Sequence, residues 1–328
     1  MRMIALAAMM LAPDTAEALQ GARTSSSADL ARRAEALRPG EWVWAPDIAP
    51  AGPVVVYVDL SAQVATVYRN GVRIAVSTVS SGKPGHVTPT GVFTILQKDA
   101  NHRSSKYNSA PMPFQQRLTW DGVALHAGGL PGYPESHGCV HLPFEFSKLL
   151  FGITSLGATV VIQGDAARHV RTSDQSLLAP FDAKGRPAAG AALDQRGFTW
   201  RPERALSGPL TIIVSKSDRR VVVLRNGIEI GRSVAEVADD DPGTHLVTLG
   251  TSPDGKPQWS YIGLPGHERE AGMPLDEATI NRLRLPRPFY ENVRAAAKPG
   301  STILITMAPV GTSPGEPLTI MDAIFPAP

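Results

Sequence analysis

Residues 54–79 read VVVYVDLSAQVATVYRNGVRIAVSTV. Val54 to Leu60 is nearly all apolar, the pattern of a strand covered on both faces. Gln63 to Tyr68 runs into Asn70-Gly71, and Val72 to Val79 follows. Asn-Gly between two β-rich runs specifies a tight hairpin, because a type I′ turn needs positive φ at both central residues. Further out, Thr88-Pro89-Thr90-Gly91 marks a turn before an apolar run from Val92 to Leu96. Thr159 to Ile162 is β-branched and predicts a closing strand. Pro143 suits the first turn of a short helix whose apolar face is Phe146, Leu149 and Leu150. Residues 28–38 predict another short helix. The 30 Gly and 29 Pro of this 328-residue chain fit dense turns and few long helices. The expectation is a mainly β fold.

The opening stretch recurs. Shifted by 156 residues, Trp44 falls on Trp200, Gly52-Pro53 on Gly208-Pro209, and Arg69-Asn70-Gly71 on Arg225-Asn226-Gly227. Thirteen of the 38 positions from 40 to 77 are identical to their counterparts, without a gap. Further along the offset becomes 143: Leu142-Pro143 falls on Leu285-Pro286, and Gly157, Thr159 and Ile162 on Gly300, Thr302 and Ile305. A repeated domain is expected, with an N-terminal segment 19–53, a first domain 54–165, a linker 166–196 without clear periodicity, a repeat 197–308 and a tail 309–328.

With 32 basic and 30 acidic side chains, the formal charge of +2 gives no electrostatic case for nucleic-acid binding. A charged fraction of 19% argues against a disordered chain. Arg2, ten apolar residues from Met3 to Ala12 and then Ala16-Glu17-Ala18 have the layout of a signal peptide over 1–18. The chain is therefore expected to be exported, to the periplasm or cell wall. That run is shorter than the ~20 residues a spanning helix needs, and no stable membrane insertion is expected.

The single cysteine, Cys139, excludes an intramolecular disulfide and any multi-cysteine metal cluster. It lies in His126-Ala127-Gly128-Gly129-Leu130-Pro131-Gly132-Tyr133-Pro134-Glu135-Ser136-His137-Gly138-Cys139-Val140-His141, which holds three of the eight histidines. A thiol is a strong nucleophile only as thiolate, and an imidazole nearby can take its proton. If 137–141 is extended, His137, Cys139 and His141 share a face. Gly138 allows close approach of a substrate, and backbone N–H groups around Gly138 and Cys139 could hold an oxyanion. A helix starting after Pro143 could lower the thiol pKa. On chemistry alone the base could be any of the three histidines. A zinc site and a buried structural cysteine are the competing readings.

Ser136-His137-Gly138-Cys139-Val140 resembles the catalytic motif of the L,D-transpeptidases of the YkuD family, in which an upstream His precedes Ser/Thr-His-Gly-Cys and an apolar residue. Thr88-Pro89-Thr90-Gly91-Val92-Phe93 is similar to the family's Pro-Thr-Gly turn and strand. Met112-Pro113 and Gly122-Val123-Ala124-Leu125-His126 are similar to its approach to the upstream His. The resemblance implies an L,D-transpeptidase-type β-sandwich followed by a degenerate repeat. It implies Cys139 as nucleophile, His126 as general base and acid, His137 as support for the thiol, Gly138 with Cys139 at the oxyanion position and Ser136 as an orienting hydroxyl. His141 and Tyr133 are the expected substrate contacts. No cofactor and no metal are expected.

The chain departs from the pattern in three places. Nine residues, 127–135, separate the upstream His from Ser136 where the family has 14 to 17, so the capping loop should be short. Ala127 and His141 stand where the family often has Gly and usually has Arg or Asn.

The implied reaction is acyl transfer on peptidoglycan stem peptides, in cell-wall biogenesis and cell shape. Cys139 would form a thioester, D-Ala would leave, and an amine would resolve the thioester as a 3→3 cross-link. Carbapenem-type inhibitors are possible ligands. The alternatives are an exported cysteine peptidase or L,D-carboxypeptidase, and a non-catalytic wall-binding protein. In the repeat, under the 143 offset, Cys139 falls on Arg282, His137 on Ile280 and His141 on Arg284. Thiol chemistry is therefore expected only in the first copy.

Overall fold

A computed structural model describes residues 21–167, 197–238, 241, 243–307 and 310. The expected signal peptide, most of the linker and the tail other than Val310 lie outside the described residues. In the first half the strands are β1 (Gly21–Arg23), β2 (Trp42–Trp44), β3 (Val54–Asp59), β4 (Val64–Arg69), β5 (Val72–Thr78), β6 (Gly91–Thr94), β7 (Gln97–Asp99), β8 (Gln115–Arg117), β9 (Ala124–Ala127), β10 (Val140–Leu142) and β11 (Thr159–Gln163). Two helices accompany them, α1 (Ser27–Ala34) and α2 (Phe144–Ile153). Seven strands form one sheet in the order β1-β2-β5-β4-β3-β11-β6, and four form a second, β10-β9-β8-β7. Asn70 and Gly71 both have positive φ, 50° and 82°, as the hairpin between β4 and β5 requires.

The fold is mainly β, a seven-stranded sheet packed against the four-stranded sheet and α2. Val54, Val56, Val58, Ile74 and Val160 from one layer meet Leu125, Val140 and Leu142 from the other, with Phe146 and Leu150 of α2. The Trp44 ring meets Phe146 edge-on at 5.4 Å.

The second half holds β12 (Phe198–Trp200), β13 (Leu210–Ser215), β14 (Arg220–Arg225), β15 (Ile228–Val234), β16 (Glu236–Val237), β17 (His245–Thr251), β18 (Pro257–Ile262), β19 (Leu283–Arg284) and β20 (Thr302–Thr306). Its helices are α3 (Glu277–Ile280) and α4 (Arg287–Ala296). The large sheet is ordered β12-β15-β14-β13-β20-β17-β18. Strands β2 to β5 and β12 to β15 begin and end 156 residues apart, and α2 and β11 precede α4 and β20 by 143. The irregularity in pairing between Val67 and Tyr68 recurs between Val223 and Leu224. Trp200 meets Phe289 edge-on at 5.8 Å, as Trp44 meets Phe146. Where the first half has the four-stranded sheet, the second has, among the described residues, only the pair β16–β19.

The two large sheets stack on each other. Val55, Tyr57, Tyr68 and Val161 of the first pack against Ile213, Val222, Leu246 and Leu304 of the second. This explains the unbroken apolar run at 54–58: even residues face the first core and odd residues face the other sheet. Thr159 and Thr302, counterparts under the 143 offset, share a hydrogen bond of 2.9 Å.

Candidate active site

The four-stranded sheet and the segment leading into β10 hold the candidate residues. Strands β9 and β10 run parallel, with His141 beside His126 and Val140 beside Leu125. Strands β8 and β9 are antiparallel, with Arg117 beside Ala124. Alternation along a strand then puts Gln115, Arg117, Ala124, His126 and His141 on one face. Leu125, Val140 and Leu142 take the opposite face, toward the core. Cys139 immediately precedes β10, and His126 lies on the neighbouring β9. Both line a cavity of about 320 Å³ with His137, His141, Arg117, Tyr107 and Trp120.

The backbone around Cys139 is bent, not extended. Gly138 has φ 108°, a conformation that disfavours any residue with a Cβ. The expected common face for His137, Cys139 and His141 is therefore replaced by a turn, although all three reach the cavity. His137 lies between His86 and Tyr107, at ring distances of 4.6 and 4.8 Å. The Ser136 hydroxyl fastens this turn: it donates to the Cys139 carbonyl at 2.5 Å and accepts from the Gly138 amide at 3.1 Å. The Gly138 amide, expected at an oxyanion position, is thus engaged by Ser136.

The Cys139 thiol is partly exposed and donates to the Gly122 carbonyl at 3.5 Å. Burial pushes its pKa up to about 11, against the opposing pull of the Ala124 amide and the Arg117 guanidinium. The net direction is upward, opposite to the lowering expected from the following helix. His126 is buried, and its Nδ1 lies 2.8 Å from the Ala127 carbonyl. A carbonyl only accepts, so Nδ1 carries the proton and Nε2 is left to receive one. Burial first, and then neighbouring His141, bring His126 down to about 4. The resting pair is a neutral thiol and a neutral imidazole.

His141 meets His126 at a ring distance of 4.8 Å. Its Nδ1 lies 3.3 Å from the Gly129 carbonyl and 3.7 Å from Glu135. The short connection is further held by Ser80, whose hydroxyl donates to the Tyr133 carbonyl at 2.8 Å and accepts from the Glu135 amide at 3.2 Å. Tyr133, expected to contact substrate, is held by its backbone on this turn; its side chain is 59% exposed and does not line the cavity. The wall that the short loop does not supply comes from His102 to Met112. Sequence reasoning missed Arg117, Tyr107 and Gln115. Gln115-Gln116-Arg117 is polar throughout, so no sequence pattern marked its cavity face.

Residues 53–162 match the L,D-transpeptidase catalytic domain, YkuD. The match covers about a third of the chain. L,D-transpeptidase 1 of Mycobacterium tuberculosis is 29% identical over 121 residues, covering 32% of this chain and 48% of that protein. The crystal structure of an L,D-transpeptidase from Stackebrandtia nassauensis is 32% identical, with 36% of this chain and 58% of that chain covered and a TM-score of 0.33. An L,D-transpeptidase from Mycobacterium smegmatis is 25% identical, with 34% and 59% covered and a TM-score of 0.32. The chain spans about half the length of the curated relatives it matches. The YkuD segment contains Cys139, His126 and every residue of the four-stranded sheet. Among the described residues no helix is long and apolar enough to cross a membrane.

Proposed function

We propose that the YkuD domain is an L,D-transpeptidase acting on peptidoglycan stem peptides, with Cys139 as nucleophile and His126 as general base and acid. The observation that carries this reading is that Cys139 and His126 line one cavity, with His126 Nδ1 engaged by the Ala127 carbonyl and Nε2 left to take a proton. As Sγ bonds to the carbonyl carbon of the third stem residue, His126 Nε2 takes the thiol proton. It returns that proton to the amine of D-Ala as the C–N bond breaks, leaving a thioester. A second amine then attacks the thioester, His126 takes its proton, and the thiol is regenerated with a 3→3 cross-link. Splitting one amide exchange into two acyl transfers lowers each barrier.

The other site roles belong to the same proposal. Ser136 holds the turn and His137 closes the wall beside the thiol. The Cys139 amide, with Gly138 engaged by Ser136, is the nearest oxyanion donor. His141, braced by Glu135, takes the place of a substrate contact. The chain is exported through residues 1–18, and the second unit, 197–308, is a degenerate copy without the thiol. The matching strand offsets support that last point.

The test is to incubate purified protein with a stem tetrapeptide and a second stem peptide as amine donor, and to analyse the products by mass spectrometry. A dimeric product with loss of D-Ala is expected, and none with Cys139→Ala. A trimmed monomer would make the enzyme a carboxypeptidase. Unchanged peptide would contradict the reading.

A further inference from the structure

A second cluster of chemically capable side chains lies on the repeat unit, outside the cavity of Cys139. His245 opens β17 and pairs with Ile305 of β20. His267 and Glu270 bracket the short helical turn that follows β18. Glu270 divides its carboxylate between the two rings: Oε2 lies 2.9 Å from His245 Nδ1 and Oε1 lies 3.3 Å from His267 Nδ1. One ligand atom from each of the three residues falls within 4.8 Å of the others. We propose that His245, His267 and Glu270 bind a divalent transition-metal ion such as Zn²⁺.

Zinc sits about 2.0–2.2 Å from nitrogen and oxygen ligands, which in a tetrahedron puts the ligands about 3.3 Å apart. Each ring nitrogen already lies near that distance from one oxygen of Glu270, and the three ligand atoms, within 4.8 Å of one another, would close on the ion. Behind His245, Asp241 Oδ2 lies 2.8 Å from Nε2. Metal-ligating imidazoles commonly give their other ring nitrogen to a carboxylate, which fixes the ring and raises its basicity. The Asp241 carboxylate is itself held, its Oδ1 accepting from the Gly243 amide at 2.7 Å. A Cβ on Gly243 would stand 2.8 Å from His267 Nε2, so glycine lets that ring lie against the backbone.

The site is anchored and open. His245 is 8% exposed within the sheet, while the His267 and Glu270 side chains are 28% and 27% exposed. Water can therefore complete the coordination, as at zinc sites with three protein ligands. Two imidazoles select a transition ion over calcium or magnesium, which take oxygen ligands. The cluster is not a remnant of the thiol site. From the pairing of β17 with β20 and β6 with β11, His245 occupies the register position of Gly91.

The experiment is a zinc titration of the full chain against a chromophoric chelator. It is done in a Cys139→Ser background so that the thiol cannot hold the ion. One zinc per chain at micromolar metal is expected, with a rise in Tm. His267→Ala and Glu270→Gln, both at partly exposed positions, should weaken binding at least tenfold. Asp241→Asn should cost about tenfold, as loss of a supporting carboxylate does elsewhere. Circular dichroism shows that each variant is folded. An ordinary His–carboxylate staple would bind no zinc at micromolar metal, or would bind it equally in parent, His267→Ala and Glu270→Gln. Either result would overturn the proposal.

Discussion

Cys139 and His126 are each displaced from the ordinary range in the direction that keeps them neutral. Thiol alkylation by iodoacetamide should therefore be slow at neutral pH and rise toward about pH 11. Arg117→Gln removes a positive charge that favours the thiolate, so its alkylation profile should move to higher pH. An unchanged profile would show that Arg117 does not act on the thiol. For His126, the native state stays neutral down to about pH 4, whereas an unfolded histidine gains its proton near 6.5. Its stabilising effect is complete above the unfolded value and is lost as pH falls from there toward about 4. The loss amounts to about 3 kcal/mol. Urea unfolding at pH 7 and pH 4 measures it, and His126→Gln should remove this part of the slope.

At the scale of elements, α2 backs the strands that carry the site. Phe146 is fully buried, and its ring touches Trp42 and Trp44. Phe146→Ala should cost about 3–5 kcal/mol in urea unfolding. A cost below about 1 kcal/mol would mean that the helix is not structural. The Asn70-Gly71 hairpin and the helix after Pro143 were legible in the sequence, because local turn chemistry specifies both. The motif around Cys139 was equally plain. Strands β7 and β8 were not legible: Gln97-Lys98-Asp99 and Gln115-Gln116-Arg117 put polar residues on both faces, so neither shows apolar alternation. The register that sets His141 beside His126 was hidden too, since it depends on how the intervening connection folds back. His245, His267 and Glu270 escaped for a similar reason. They meet only when β17 and the turn after β18 are brought together.

The whole molecule is held by two sheets that share an apolar interface, so the units should not unfold independently. Leu304 belongs to the second unit and is fully buried in that interface. Leu304→Ala should cost about 2–5 kcal/mol and lower the midpoint of both units in a single transition. Two separate transitions would show that the interface contributes little. Residues 21–167 alone would expose Val55, Tyr57, Tyr68 and Val161, and in sedimentation they should self-associate. The central claim is that Cys139 forms an acyl-enzyme. Intact-protein mass spectrometry after incubation with a carbapenem tests it most directly. One adduct per chain is predicted, mapping to Cys139, absent in Cys139→Ala and slowed at least about 100-fold in His126→Gln. An adduct that persists at the same rate in Cys139→Ala would contradict the account.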